Sequence, residues 1–556
     1  MSLSKKAGLF FASAVLVFCF AAAGMFFSCD NSSSDPIPIA LKKTSDWLFL
    51  FYYDADDDVL NDDIYGNMRD IECALCSMRN PDGSPKAGYP SVTALVLWDG
   101  VDNAHKGPQK YIHSDGALYE LGPDYNLAYI GLTEENHYNV GVTVLKGRTD
   151  LGDKFVMGPN TIDWTAMARA SGLLEKEPNM ASGKTLENFL KWAKARYDAP
   201  NVVLCLSDHG SGPYNETGAG VSGNSTHVGA SLCTDVTNGN DKMLNCKSVK
   251  DALAAAGYKG DQKPKVLWND VCLQSNAEVL WNYAGCADYF VTSADISFSQ
   301  DMVRIFTSFF KGMTPRDFGK IVVSAYHQRY HANPIDCPKD EATAIVKRAS
   351  GYSVYTNTFL SLDETKAVNL RNAVDAFADA LLTLKAGDEN AFKKAYGNYV
   401  DQDPRNYAGC KGLAYRGVYA HLSDLGCLAL DVKNDPSLAS VHAAADALLT
   451  LLKHDDDNLI VYAWGGRRAY EENNPIDGKW KSASPNQLYL TGGVDYISGK
   501  TITVDRTEDV FGLTIVGCSV YAAPDEADYD VVRNYNEWTG FSSKWGQVIN
   551  AWFAFY

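Results

Sequence analysis

Residues 201–212, NVVLCLSDHGSG, and residues 265–275, KVLWNDVCLQS, share one design: a continuous apolar run that stops abruptly at polar, reactive side chains. Runs without polar alternation are expected of strands buried on both faces. Val202–Leu206 and Lys265–Trp268 read as two such strands. Working outward, the same texture recurs in Trp47–Tyr53 (WLFLFYY), Val92–Trp98 (VTALVLW), Asp288–Thr292 (DYFVT) and, more weakly, Val140–Leu145 (VGVTVL). Helical patterns lie between them. In Thr185–Ala195 the apolar residues Leu186, Phe189, Leu190 and Ala193 fall on one helical face. Val249–Ala256 and Glu278–Tyr283 also read as helices. This alternation predicts an α/β fold, a mainly parallel sheet flanked by helices. In such sheets reactive groups gather beyond the carboxyl ends of the strands. His209 and Cys272 both hold that position, each just after a buried run.

After about residue 330 the texture changes. Asn369–Leu384 and Val441–Leu452 are Ala/Leu-rich amphipathic helices, and strands return near Leu488–Leu490 and Phe511–Tyr521. The expected organisation is a peptide signal at 1–28, a linker at 29–43, an α/β domain at 44–330 and a mixed helical and strand subdomain at 331–556. The 556 residues suit two to four domains at roughly 150 residues each. With 46% hydrophobic and 21% charged residues the chain can build a large core, which argues against wholesale disorder. A net charge of −18 repels phosphate backbones, so nucleic acid is not an expected partner. Cationic substrates are favoured instead.

The N-terminus reads as an export signal. Lys5 and Lys6 precede the uncharged run Ala7–Ser28, and Cys29 follows directly. A Cys after the cleavage point is the arrangement of a bacterial lipoprotein, with Cys29 carrying the lipid. Phe26, Phe27 and Ser28 are a loose match to the usual residues before that Cys. An uncleaved membrane anchor is the alternative, since the run is about long enough to span a bilayer. On either reading the bulk of the chain works outside the cytoplasm, held to a membrane. Asp30–Ile39, with three Ser and two Pro, is then a tether.

Cysteine becomes a useful nucleophile as a thiolate, and a neighbouring imidazole supplies a base or counter-charge. His209 and Cys272 can act together only if their strands lie close in the sheet. Taken singly, a His at a strand end or one Cys among 13 is ordinarily a packing residue. Gly210 lets the backbone approach a substrate carbonyl closely, as an oxyanion site requires. Asp270 precedes Cys272 by two residues, which in extended backbone puts both side chains on one face about 7 Å apart. A carboxylate there would pair with a substrate Arg or Lys. The competing reading makes Asp270 the cap of a helix starting near Cys272.

With those residues in view, Asn179–Gly212 (NMASGKTLENFLKWAKARYDAPNVVLCLSDHGSG) resembles the helix–strand–His-Gly segment of the clostripain family of cysteine peptidases. Trp268–Trp281 (WNDVCLQSNAEVLW) resembles that family's Asp-x-Cys segment, with Glu278 where the family commonly has a Glu. Residues 47–62, 318–330 and Gly512–Ile515 are weaker matches. The resemblance implies a caspase-like α/β fold with His209 as catalytic His and Cys272 as nucleophile. It also implies oxyanion donors at Gly210 and Cys272, and Asp270 as the acid that prefers Arg, then Lys, before the scissile bond. Asp295 falls where it would help line the pocket. The implied substrates are proteins or peptides with basic residues, and the implied intermediate is a thioester. No cofactor is assigned, and calcium stands as a family-level expectation without ligands.

Several features depart from that pattern. Family members are often cleaved after a basic residue between His and Cys, yet Ser211–Asp241 contains no Lys or Arg, the first being Lys242. Asp54–Asp63 (DADDDVLNDD) lacks the Gly and Glu of an EF-hand and reads as a solvated acidic turn. Gly183-Lys184-Thr185 lacks the first Gly of a phosphate loop and reads as a helix start. Cys73 and Cys76 form a lone CxxC and read as helix residues. His327 and His331, with no acidic third ligand nearby, read as helix-surface residues. Two other functions remain open from sequence: a catalytically silent surface protein that binds a ligand with this scaffold, and the same dyad with Asn-type specificity.

Overall fold

Every residue of Trp47–Ala55 is buried, and its side chains divide by parity. Leu48, Leu50 and Tyr52 enter one apolar cluster, while Trp47, Phe49, Phe51 and Tyr53 enter another. A strand whose two faces both lie in a core must run through a sheet covered by helices on each side. The computed structural model describes residues 42–56, 60–100, 116–129, 142–144, 157–213, 232–235, 243–294, 297, 300–330, 354–397, 422–468, 488–490, 493–494, 496–497, 501–502, 511–517 and 535–554. Cys29 with the rest of the signal, and Asp295, lie outside the described residues. Residues 43–556 form one unit by their contacts.

The central sheet has ten strands. In chain order they are β1 (Trp47–Ala55), β2 (Val92–Gly100), β3 (Ala117–Glu120), β4 (Ile162–Asp163), β5 (Asn201–Ser207), β6 (Val266–Asp270), β7 (Tyr289–Thr292), β8 (Val354–Ser361), β9 (Ile460–Arg468) and β10 (Leu488–Leu490). Their spatial order is β10-β9-β8-β7-β6-β5-β1-β2-β3-β4. The central strands β7-β6-β5-β1-β2 are mutually parallel. The flanking strands on both sides add antiparallel. The sheet is therefore mixed, with its parallel part confined to the middle, rather than mainly parallel throughout. An apolar run reads the same in either strand direction, so sequence texture could not separate the two. Strands β8 to β10 follow residue 330 and extend the same sheet as the strands before it.

One face is covered by helices α2 (Gly183–Arg196), α3 (Cys246–Ala255), α4 (Ala277–Tyr283) and α7 (Glu364–Gly387), through residues such as Leu186, Phe189, Leu253, Leu280 and Phe377. The other is covered by α1 (Asn61–Met78), α5 (Met302–Thr307) and α6 (Pro315–Tyr330), through Met68, Ile71, Phe306 and Phe318. On that second face Phe49 touches the rings of Phe51, Phe306, Phe309 and Phe318 at centroid separations of 5.0–5.9 Å. Truncating so enclosed a ring costs about 3–5 kcal/mol.

From β1 the chain passes outward to β2, and from β5 it passes outward the other way through β6 to β7. The order reverses between β1 and β5. Ligands bind outside the carboxyl ends of strands at such a switch point, and β5 and β6 carry the two reactive segments. Val142–Val144 is a strand, as expected, but it pairs with Leu127–Tyr129 in a separate small sheet. Thr514–Val516 likewise pairs with Leu422–Asp424 outside the central sheet.

Other sequence readings have definite outcomes. Ser182 caps α2, whose first residue is Gly183, so Gly183-Lys184-Thr185 is a helix start. Cys73 is buried and Cys76 half-buried on α1. Of the acidic stretch, the described residues Asp54, Asp56 and Asp63 are buried rather than solvated. Its first part ends β1 inside the sheet and its last part opens α1. His327 lies on α6, and His331 lies outside the described residues. Among the described residues no helix is long and apolar enough to cross a membrane. All eight cysteines among them are free thiols.

Candidate active site

The pairing of β5 with β6 decides whether His209 and Cys272 can meet. The strands are parallel neighbours with Ser207 opposite Asp270. His209 and Cys272 each lie two residues past that last pair, so the register carries them to equivalent positions at the sheet edge. Adjacent strands are about 4.8 Å apart. The next residue supplies a direct contact: a Cβ on Gly210 would collide with the Cys272 carbonyl oxygen and lie 3.0 Å from the Cys272 nitrogen. Only glycine lets the two segments approach this closely. Gly210 also forms an isolated antiparallel bridge to Leu232.

The two loops are tied together and to a third. Gln274 Nε2 donates to the Gly212 carbonyl at 3.1 Å, joining the Cys segment to the His segment. Leu273, immediately after Cys272, has φ 64°, a left-handed conformation that is unfavourable for a side-chain-bearing residue. The Ser297 N–H donates to Cys272 Sγ at 3.2 Å, and the Sγ–H is 3.7 Å from the Ser297 carbonyl. Both Cys272 and His209 are half-buried.

Asp270 does not cap a helix. Asn276 caps α4, its Oδ1 accepting from Glu278 N at 3.0 Å and Val279 N at 3.4 Å. Both Asp270 oxygens are engaged elsewhere. Gln300 Nε2 donates to Oδ1 at 2.8 Å and Ser207 Oγ donates to Oδ2 at 3.3 Å. By strand parity Asp270 shares the face of Trp268, whose cluster includes Phe51, Val203 and Cys205. Burial, and then the nearby Asp270 carboxylate, push the Cys205 thiol up.

The opposite face carries a row of acids at the same sheet edge. Asp54 and Asp99 are register partners on β1 and β2. Asp208 follows Ser207, the partner of Tyr53, and so falls beside Asp54. All three are buried, as is Asp235. Burial, followed by Asp208, Asp99, Asp235 and Asp56, holds the Asp54 carboxyl well above the usual carboxylate range. Among the described residues no group of three or more His, Cys, Asp or Glu could hold a metal ion.

After Cys272, α4 is anchored by a segment far along the chain. Ser275 Oγ donates to the Gly512 carbonyl at 2.5 Å, and Thr514 N donates to the Ser275 carbonyl at 2.9 Å. Glu278 Oε1 accepts from Val516 N at 3.2 Å and from Tyr535 OH at 2.7 Å. Burial raises Glu278 to about 7 against the lowering effect of those bonds. Asp424 Oδ2 accepts from Gly512 N at 2.9 Å and from Phe511 N at 3.1 Å, holding the same segment from its other side. Sequence reasoning marked Glu278 only by resemblance and missed Gln300, Ser207, Gln274 and Asp424. Their roles come from partners up to hundreds of residues away, which no local pattern encodes.

The model of the Clostripain family matches residues 135–552. No curated protein matches the chain. Among solved structures, a secreted C11 cysteine protease from Bacteroides thetaiotaomicron, in complex with an irreversible peptide inhibitor, is similar at 12% identity and a TM-score of 0.45. That likeness covers 90% of this chain and 98% of the other. An inactive zymogen C11 protease from Parabacteroides distasonis is similar at 14% identity and a TM-score of 0.43, covering 92% of this chain and 99% of the other.

Proposed function

Since the chain belongs to the clostripain family of cysteine peptidases, we propose that it is an extracytoplasmic endopeptidase cutting after Arg, and less readily after Lys, through Cys272 and His209. The observation that carries this reading is the β5–β6 register together with the Gly210–Cys272 contact. It sets the imidazole-bearing and thiol-bearing segments side by side at the carboxyl end of the sheet, beside its switch point.

In this mechanism the Cys272 thiolate, its sulfur within reach of the Ser297 N–H, attacks the scissile carbonyl carbon. The oxygen takes up negative charge opposite the backbone N–H groups of Gly210 and Cys272. Collapse breaks the C–N bond, and His209 gives its proton to the leaving amine. A water molecule, losing a proton to His209, then attacks the thioester. The acid is released and the Cys272 thiolate returns. Asp270, which ends β6 two residues before Cys272, accepts the cation of the residue before the cut. Asp295 stands beside it as a proposed pocket residue, and Cys29 as the lipid-bearing residue that tethers the enzyme to a membrane.

Residues 44–556 and the Cys272→Ala variant, incubated with fluorogenic peptides bearing Arg, Lys, Asn or Asp before the reporter, test the reading. Arg-selective release that the variant lacks supports it. Asn-selective release would transfer the specificity to the legumain type, and silence on every peptide, before and after limited trypsin treatment, would reject peptidase activity.

A further inference from the structure

Cys272 opens onto a turn that a leucine does not favour. Leu273, the next residue, has φ 64°, and such backbone persists where its surroundings over-determine it. Upstream the turn is fixed by the β5–β6 ladder, which ends at the pair Ser207–Asp270. Downstream it is fixed at Ser275, whose N–H donates to the Ser293 carbonyl at 2.7 Å and whose hydroxyl donates to the Gly512 carbonyl at 2.5 Å. The Ser275 carbonyl accepts twice from a single residue, from the Thr514 N–H at 2.9 Å and from the Thr514 hydroxyl at 3.0 Å. That hydroxyl in turn accepts from Asn276 Nδ2 at 3.3 Å, and Asn276 is the cap of α4. Ser275, Asn276 and Thr514 are all fully buried. Gly512 is itself tied to the central sheet, its carbonyl also accepting from Thr358 Oγ1 on β8 at 2.8 Å.

We propose that Thr514 is a positioning residue for catalysis, its hydroxyl joining the Ser275 carbonyl to the Asn276 cap and so holding the Cys272 turn in its left-handed form. The inference rests on Cys272 being the nucleophile, as proposed above. A hydroxyl that donates to one group and accepts from another fixes both in relation to itself. Here the two groups belong to consecutive residues, so Thr514 sets the point at which the turn ends and α4 begins. Without the hydroxyl, the Ser275 carbonyl keeps one of its two bonds from Thr514, and Leu273 gains room to relax toward negative φ. That movement carries Cys272 away from the Gly210 segment, beside which the oxyanion is proposed to form. A displacement of about 1 Å costs about 100-fold in rate. Asp270 lies upstream in the β6 ladder and keeps its place. Placement of the thiol is therefore lost while the hold on the substrate cation is kept. Thr514 lies 239 positions beyond Ser275, which makes the last part of the chain a component of the reacting centre.

The test compares Thr514→Val, Thr514→Ser, Ser275→Ala and Cys272→Ala with the parent on one Arg peptide, each first shown by circular dichroism to be folded at the assay temperature. Thr514→Val is nearly isosteric and removes the hydroxyl, whereas Thr514→Ser keeps the hydroxyl and removes the methyl group. Thr514→Val is expected to lower kcat by roughly 10- to 100-fold with KM within about twofold of the parent. Thr514→Ser should restore most of that kcat, which a role in packing alone would not predict, since the serine fills less of the core than the valine. Ser275→Ala, which frees the turn from Gly512, should lower kcat in the same way by a smaller factor, and it carries the test if Thr514→Val does not fold. Parental kcat in both Thr514→Val and Ser275→Ala, with Cys272→Ala silent, would overturn the positioning role and leave Cys272 as the nucleophile. So would a loss carried by KM, or a Thr514→Ser no more active than Thr514→Val. A silent parent, or cleavage that survives in Cys272→Ala, would overturn the reading on which the proposal rests.

Discussion

Glu278 gives the sharpest link between the structure and a pH-dependent measurement. It is fully buried on the helix after Cys272, and its carboxyl is raised from the ordinary 4.5 to about 7, burial outweighing the bonds from Tyr535 and Val516. A folded value above the unfolded one means the folded state holds the proton more tightly. Below about pH 4.5 the group is protonated in both states and contributes no pH dependence. As pH rises toward 7 the unfolded state ionises first, and stability falls. Above 7 the full loss, roughly 3 kcal/mol, is in place. Glu278→Gln replaces the protonated acid with a group that cannot ionise and keeps an oxygen for Val516 and Tyr535. The experiment uses a Cys272→Ala background, which excludes self-digestion through the proposed nucleophile, and follows thermal unfolding from pH 5 to pH 8.5. At about 1 kcal/mol per degree for a chain of this size, the variant should lose about 3 °C less than its parent across that range. Each protein serves as its own reference, so any constant cost of the amide cancels. Equal slopes for the two would refute the reasoning, and would mean that Glu278 is ionised without penalty in the folded protein.

Other consequences are as direct. Gly210→Ala should reduce kcat/KM at least 100-fold, because its methyl group would strike the Cys272 carbonyl; near-wild-type kinetics would deny the contact. Asp54→Asn should raise Tm at neutral pH, because burial makes the folded protein hold the Asp54 proton that the unfolded chain releases freely. The gain should vanish at pH values low enough to keep Asp54 protonated in the unfolded chain as well; a lower Tm at neutral pH would contradict this. Arg69, buried against Glu72 and Asp124, should cost about 3–5 kcal/mol when replaced by Met, read by urea unfolding.

Much of the fold was legible because buried parallel strands write themselves as unbroken apolar runs. WLFLFYY, VTALVLW, VVLCL and KVLW all lie in the central sheet. The antiparallel flanks were not legible as such: direction leaves no trace in an apolar run, and β3 and β4 are short. At the site, the positions of His209 and Cys272 after two strands could be read directly, but their adjacency depends on the register Ser207–Asp270, which sequence does not state. Asp270 had two readings, and the cap belongs to Asn276 because the helix starts at Ala277 and not near Cys272. Gln300 was invisible because a polar residue in a loop carries no periodicity. Asp54 and Asp56 misled because a run of Asp normally signals solvent, whereas the sheet edge buries these two.

The central claim is that Cys272 is the nucleophile and His209 its partner. The most direct measurement is mass-spectrometric mapping of the adduct left by an irreversible peptide electrophile bearing Arg, on the parent, His209→Ala and Cys272→Ala. The account predicts one adduct, on Cys272, formed slowly or not at all in His209→Ala and absent from Cys272→Ala. An adduct on any other cysteine, or Arg-directed cleavage surviving in Cys272→Ala, would contradict it.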